Sequence, residues 1–226
     1  MDERVILQVL AEQQEYLERY RKNTWITRQE ESLFEWESNM AQVVIGVRRS
    51  GKSTLCHKVL LQHNIRYAYA DFDDDRFAAL KTSDLNTVLN CLYQHYGTDI
   101  QYIFLDEIQN VEGWHLFVNR LLRQGMYVFL TGSNAKLLSS ELATHLTGRY
   151  NEIRLYPFSY LEYCQAEDIS LHSIATQANA ARKAALTTYL QDGGMPKLRN
   201  ITRPQNRRIY VESLVETIVS KDVVGR

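Results

Sequence analysis

Cysteine is scarce in this chain of 226 residues: Cys56, Cys91 and Cys164 are the whole complement, far apart and with no CxxC pair. That excludes a disulfide framework and a structural zinc site, and it reads as buried or incidental thiols in a reducing compartment. Charge of one sign is equally lacking. The formal net charge is −1, so no global attraction to nucleic acid or anionic membrane is implied, although a local basic patch remains open. Long apolar runs are missing too. The N-terminus opens on Asp2-Glu3 with only the brief stretch Val5 to Leu10, too short for a secretory signal, and no segment is long enough to cross a bilayer. A soluble, cytoplasmic protein is the expectation. His57, His63, His95, His115, His145 and His172 show no paired ligand spacing. There is no internal repeat and no low-complexity tract.

What is present is an ordinary apolar fraction, enough for a sizeable core, and a regular alternation of elements. Residues 2–22 are rich in Glu, Gln, Arg and Leu and predict a helix. Thr27 and Glu30 could form a capping box for a second helix over roughly 28–38. Strands are expected at 41–45, 66–72, 101–106, 126–131 and 153–156, the last stopped by Pro157, with helices at 84–96 and 114–124 between them. From Ser159 onward the pattern is helical. Strands alternating with helices predict an α/β fold with a doubly wound, mostly parallel five-stranded sheet and a small C-terminal helical domain. The expected divisions are an N-terminal helical segment over 1–40, a core over 41–157 and a helical, lid-like domain over 158–226.

Gly46-Val47-Arg48-Arg49-Ser50-Gly51-Lys52-Ser53 follows the first strand and precedes Thr54-Leu55-Cys56-His57, where apolar residues take up helical spacing. Strand, glycine loop and helix form the context of a phosphate-binding loop. A polyphosphate must be held by many donors at once. Gly46 and Gly51 let the backbone bend so that its N–H groups converge, and the helix N-terminus adds partial positive charge. Lys52 offers a mobile cation for β- and γ-phosphates, and Ser53 a hydroxyl for Mg²⁺. Arg48 and Arg49 either touch phosphate or point to solvent or a neighbouring subunit.

Tyr102-Ile103-Phe104-Leu105 ends in Asp106-Glu107. A buried strand of this kind delivers its last side chains to the carboxyl edge of the sheet. There Asp106 would face the metal bound by Ser53, and Glu107 would orient and polarise an attacking water. After the fourth strand, Thr131-Gly132-Ser133-Asn134 places short polar groups at a strand tip. Ser133 and Asn134 both qualify as sensors of a γ-phosphate or water, against a capping or turn role. Arg149, just ahead of the fifth strand, is either a surface arginine or a group reaching a neighbouring subunit's γ-phosphate. Of the acidic run Asp71 to Asp75, consecutive carboxylates cannot all converge on one ion, so only Asp71 at the strand tip is kept, as a residue behind the metal ligands. Gly193-Gly194-Met195-Pro196 is either a helix–helix corner or a backbone contact for a base.

Together these residues resemble an AAA+ type P-loop ATPase. Gly46 to Ser53 is similar to its Walker A motif, Tyr102 to Glu107 to Walker B, and Thr131 to Asn134 to the sensor-1 strand end; Arg149 falls where such proteins carry an arginine finger. More narrowly, Leu105 to Asn110, Leu130 to Asn134 and Gly193 to Pro196 resemble a prokaryotic group related to archaeal-type and STAND ATPases. The resemblance implies ATP and Mg²⁺ as ligands, with Gly46, Arg48, Arg49, Ser50, Gly51, Lys52, Ser53 and Thr54 around the phosphates. It implies Gly194 and Pro196 as a nucleotide-contacting turn, Ser53 and Asp106 at the metal, and Glu107, Lys52, Asn134 and Arg149 in catalysis. It also implies hydrolysis coupled to conformational change and a homo-oligomer joined through Arg149; an unidentified protein or DNA partner stays open. The rival reading is a nucleotide-dependent switch or scaffold with negligible turnover. No clear sensor-2 arginine is present, Lys197 and Arg199 being weak candidates. Members of the group continue into a further C-terminal domain, so the chain is expected to represent a shortened form.

Overall fold

The computed structural model describes residues 1–21, 24–36, 38–133, 139–146 and 148–220. The chain divides into two compact units. One comprises Met1–Trp25, Glu30–Ile45 and Lys52–Arg154, the other Ile26–Gln29, Gly46–Gly51 and Leu155–Arg226.

The first unit is built on five strands, β1 (Ala41–Gly46), β2 (Tyr67–Asp71), β3 (Tyr102–Asp106), β4 (Tyr127–Ser133) and β5 (Tyr150–Arg154), in the order β2-β3-β4-β1-β5. The pairs β2–β3, β3–β4 and β1–β5 run parallel. The helices are α1 (Glu3–Tyr20), α2 (Lys52–Gln62), α3 (Leu85–Tyr96), α4 (Trp114–Arg123) and α5 (Ser139–Leu146). Strand side chains alternate between two faces. Val43, Ile103 and Val128 enter one core with Ile6 and Leu10 of α1, and with residues of α3, α4 and α5. The opposite face carries Tyr69 and Phe104, which meet His57 of α2 at ring-centroid distances of 4.7 and 4.8 Å. Because parallel crossovers are right-handed, the reversal of direction between the β1-to-β2 crossover and those that follow puts α2 on one face and α3, α4 and α5 on the other. The crevice that this reversal opens lies outside the carboxyl ends of the central strands, where open α/β sheets bind ligands.

Two expectations need correction. The helix over 28–38 is only a 3-10 turn, Gln29–Leu33. Phe34 stacks on Phe129 of β4 and Trp36 packs tilted against it, each with centroids 5.8 Å apart, and the Glu35 N–H donates to Gln42 Oε1 rather than to a helical carbonyl. Aromatic burial outweighs continued helix here, and the Thr27–Glu30 box has no helix to cap. The fifth strand runs over 150–154 rather than 153–156, because its partner sets its ends: Ala41 pairs with Tyr150 and Ile45 with Arg154.

His57 is 3 % exposed and its Nδ1 lies 3.0 Å from the Tyr67 hydroxyl. Burial pushes its pKa down to about 3. The folded state therefore resists a proton that the unfolded chain accepts below about pH 6.5. Stability is complete above that pH, and this one group removes about 1.4 kcal/mol for each pH unit below it, until its folded pKa is reached. Urea midpoints should fall between pH 7 and pH 5, and His57→Gln should flatten that part of the profile.

The second unit contains α6 (Tyr160–Ala166), α7 (Thr176–Asp192) and α8 (Pro204–Ile218). Ser159 and Glu162 form a capping box at the start of α6. Gly194 packs against Phe158 so closely that a Cβ would lie 2.0 Å from the Phe158 carbonyl oxygen, and the Phe158 N–H donates to the Gly194 carbonyl at 2.7 Å. The glycine turn thus packs backbone on backbone. Pro196 opens the 3-10 turn that follows it.

Candidate functional site

In the first unit, Lys52 is the first residue of α2 and Asp106 the last of β3. The Lys52 Nζ lies 3.7 Å from Glu107 Oε1, and both side chains are largely buried, 6 % and 16 % exposed. The Ser53 hydroxyl is close enough to the Asp106 carboxylate to help pull its pKa down. The other contacts of Asp106 hold it from behind: Tyr69 OH donates to Oδ2 at 3.2 Å, and Thr131 Oγ1 donates to Oδ1. Thr131 Oγ1 also accepts the Glu107 N–H at 3.2 Å. One threonine hydroxyl therefore sets both carboxylate residues. Glu107 occupies the left-handed region, with φ of 53°, a conformation that a non-glycine residue adopts only when its surroundings impose it. Its Oε2 accepts from Gln109 Nε2.

Burial raises the pKa of Asp106, and the Glu107 charge adds to that, while the hydroxyls of Thr131 and Ser53 and the Lys52 charge pull it back. Asp71 stands opposite Asp106 in the β2–β3 register and is raised first by burial, then by the Asp106 charge. Such a buried oxygen-rich pair is short of positive charge. A hydroxyl and a carboxylate are hard ligands suited to Mg²⁺, which completes its shell with water and phosphate oxygens. No group of three or more His, Cys, Asp or Glu residues that could hold a metal is found among the described residues. The rest of the acidic run is spent locally: Asp74 caps a short turn and pairs with Arg76, and Asp73 Oδ1 accepts from Asn110.

Ser133, at the end of β4, is fully buried, and its Oγ finds no hydrogen-bond partner among the described residues. A buried hydroxyl without a partner is costly, and at this strand tip it suits a phosphate oxygen or a water. Asn134, the other sensor candidate, lies outside the described residues.

In the second unit, the loop from Gly46 to Gly51 leads directly into α2. Gly51 has φ of 99° and open space where a Cβ would stand, the form a phosphate cradle requires. Gly46 is glycine for another reason: a Cβ there would lie 2.2 Å from the Leu155 carbonyl oxygen. Arg49 is exposed and left-handed, φ 64°, with its guanidinium 5.6 Å from the Tyr210 ring centroid. Arg48 is partly exposed, and Thr54 sits in the first turn of α2. Arg199, considered as a second sensor, donates to the Ala166 carbonyl at 2.8 Å, and Lys197 is exposed.

The structure does not bring Arg149 to this cluster. Its carbonyl accepts the Ala41 N–H at the start of β1, and five residue steps of strand put it roughly 17 Å from the β1 tip. Arg149 shares a cavity of about 540 Å³ with Arg123, Asn39, Met40, Leu122 and Gly125.

Four residues of this arrangement escape sequence reading. Tyr69 and Thr131 both bond to Asp106, Gln109 bonds to Glu107, and Arg28 reaches the carbonyl of Ser50. Thr131 stood within the polar strand end that motif reading singled out.

A sequence model of the AAA domain matches residues 38–164. An uncharacterized protein of Methanocaldococcus jannaschii is 31% identical over 193 residues, which is 83% of this chain and 43% of that protein. An uncharacterized protein of Haemophilus influenzae is 32% identical over 197 residues, 84% of this chain and 48% of its own length. The chain thus spans less than half of each of these relatives. No helix among the described residues is long and apolar enough to cross a membrane.

Proposed function

From the premise that the chain belongs to the AAA domain family, which implies nucleotide binding, we propose that it binds ATP with Mg²⁺ and hydrolyses it, turnover being coupled to conformational change. The observation that carries this reading is the convergence of Lys52, Ser53, Asp106 and Glu107 at the end of β3 and the start of α2. The loop amides and Lys52 hold the β- and γ-phosphates. Bound between Ser53, Asp106 and the phosphate oxygens, Mg²⁺ would neutralise charge that develops on the transferred group. Glu107 orients a water and takes its proton as the water oxygen attacks the γ-phosphorus and the bond to the bridging oxygen of ADP breaks. Thr131 and Tyr69 hold the Asp106 carboxylate, so it need not be ordered during turnover. Ser133 accepts or donates at the γ-phosphate. Gly194 and Pro196 serve as the nucleotide-contacting turn, on the strength of the family resemblance. Arg149, remote from its own loop, acts on the nucleotide of a second copy in a homo-oligomer.

One contact favours the rival reading of a switch with negligible turnover. Glu107 is engaged by both Lys52 and Gln109, and at least the first of these must yield before the carboxylate can work as a base. Phosphate release decides between the two. With saturating ATP the protein should turn over in Mg²⁺ and stop in EDTA, and tight MgATP binding without any release would establish the switch. No calorimetric heat with either ATP or GTP in the presence of Mg²⁺ would remove both.

A further inference from the structure

We propose that Arg28 is the positioning residue of the phosphate loop: it fixes the orientation of the Ser50–Gly51 peptide so that the Gly51 N–H is presented to the phosphate. The proposal rests on the nucleotide-binding reading above. Arg28 precedes the sheet in sequence yet lies in the same compact unit as residues 46–51 and the helices after Leu155. It is buried, 7 % exposed. Its Nε donates to Glu162 Oε1 at 2.7 Å, its Nη2 to the Tyr156 carbonyl at 2.6 Å, and its Nη1 to the Ser50 carbonyl at 3.4 Å. The guanidinium carbon also stands 4.9 Å from the Phe158 ring centroid. A charge removed from water needs this many partners, and only a planar fork meets three acceptors set at fixed angles.

The anchor is itself immobile. Glu162 Oε2 accepts from the Ser159 N–H at 2.8 Å and from the Ser159 hydroxyl at 3.0 Å, within the cap of α6. Glu162 Oε1 also takes the Gln29 N–H at 3.4 Å. The guanidinium therefore has one place to be, and its third donor falls on the loop.

The consequence follows from peptide geometry. In a planar trans peptide the carbonyl and the N–H of the next residue point in opposite directions. A guanidinium on the Ser50 carbonyl turns the Gly51 N–H to the far side, away from Arg28. The preceding turn is held by the Ser50 N–H donating to the Val47 carbonyl at 3.2 Å. Among the described residues no backbone hydrogen bond restrains the Ser50–Gly51 peptide in this way. Gly51, at φ 99° with empty space around its absent Cβ, allows that peptide to rotate at little cost. A rotated peptide would aim a carbonyl oxygen at an anion and exchange attraction for repulsion. Arg28 thus holds the one linkage that glycine leaves loose, and it does so without touching the ligand.

The test measures MgADP affinity by calorimetry on the wild type, Arg28→Ala, Arg28→Lys and Glu162→Gln, alongside the melting temperature of each without nucleotide. Arg28→Ala should bind MgADP roughly tenfold or more weakly, the loss of one oriented donor, at a temperature where circular dichroism shows it folded. Arg28→Lys keeps the charge beside Glu162 but loses the fork, and it should fall between Arg28→Ala and wild type. Glu162→Gln keeps an acceptor for Nε and should stay within about threefold of wild type. A merely structural arginine would lower the melting temperature and leave affinity unchanged below it. A folded Arg28→Ala with wild-type affinity overturns the proposal. If Arg28→Ala does not fold, wild-type affinity in Arg28→Lys does the same. A wild type that binds no nucleotide fails earlier and differently, removing the nucleotide reading itself.

Discussion

Replacing Lys52 by alanine is expected to weaken MgATP binding by about a hundredfold or more, the largest effect of any single substitution in the first unit. Charge-assisted hydrogen bonds contribute about 1.5–3 kcal/mol each, and a lysine ammonium that reaches two phosphates makes more than one of them. Lys52 is already desolvated, at 6 % exposure, so its attraction for an anion is not diluted by bulk water. The substitution has a second cost. It leaves Glu107, whose Oε1 lies 3.7 Å from the ammonium, as a carboxylate facing the incoming phosphates with nothing to offset its charge. Calorimetry against wild type measures the change. Unaltered affinity in a folded variant would mean that the nucleotide does not sit on this loop, and the phosphate-loop reading would have to be given up.

Glu107→Gln should act in the opposite way on binding and turnover. The side chains have the same shape, so the contact with Gln109 and the left-handed backbone can persist. The group loses its capacity to take a proton. General-base assistance contributes about 10²–10⁴-fold, and single-turnover hydrolysis should slow by that order. Affinity for MgATP should hold or rise, because the neutral amide no longer competes with phosphate for Lys52. A drop in affinity with an unchanged rate would assign Glu107 to ligand binding. Unchanged turnover would transfer the role of base to another group.

The phosphate loop, the carboxylate pair and the alternation of strands and helices were open to sequence reading for one reason. Each depends on residues adjacent in the chain, so a pattern of a few positions carries it. Gly51 needs its left-handed turn, and Asp106 needs a strand tip, wherever the rest of the protein lies. Periodicity distinguishes strand from helix in the same local manner, and it failed where locality failed. Residues 28–38 have a helical composition, but Phe34 and Trp36 pack against Phe129, on a strand that sequence distance hides.

Tertiary structure alone decided what supports those motifs. Thr131 and Tyr69 reach Asp106 from the two neighbouring strands, and strand order cannot be read from spacing. Arg28 meets Ser50, Tyr156 and Glu162 across separations of 22, 128 and 134 residues. Arg149 proved distant from its own loop because β1 and β5 run parallel, so that the residue just ahead of β5 lies at the wrong end of the sheet. Gly46 looked like a hinge for phosphate, and it is glycine because the Leu155 carbonyl leaves no room for a side chain. The chemistry of the site is a property of short segments. Its rigidity is a property of contacts between segments, which form only when burial of the core brings them together.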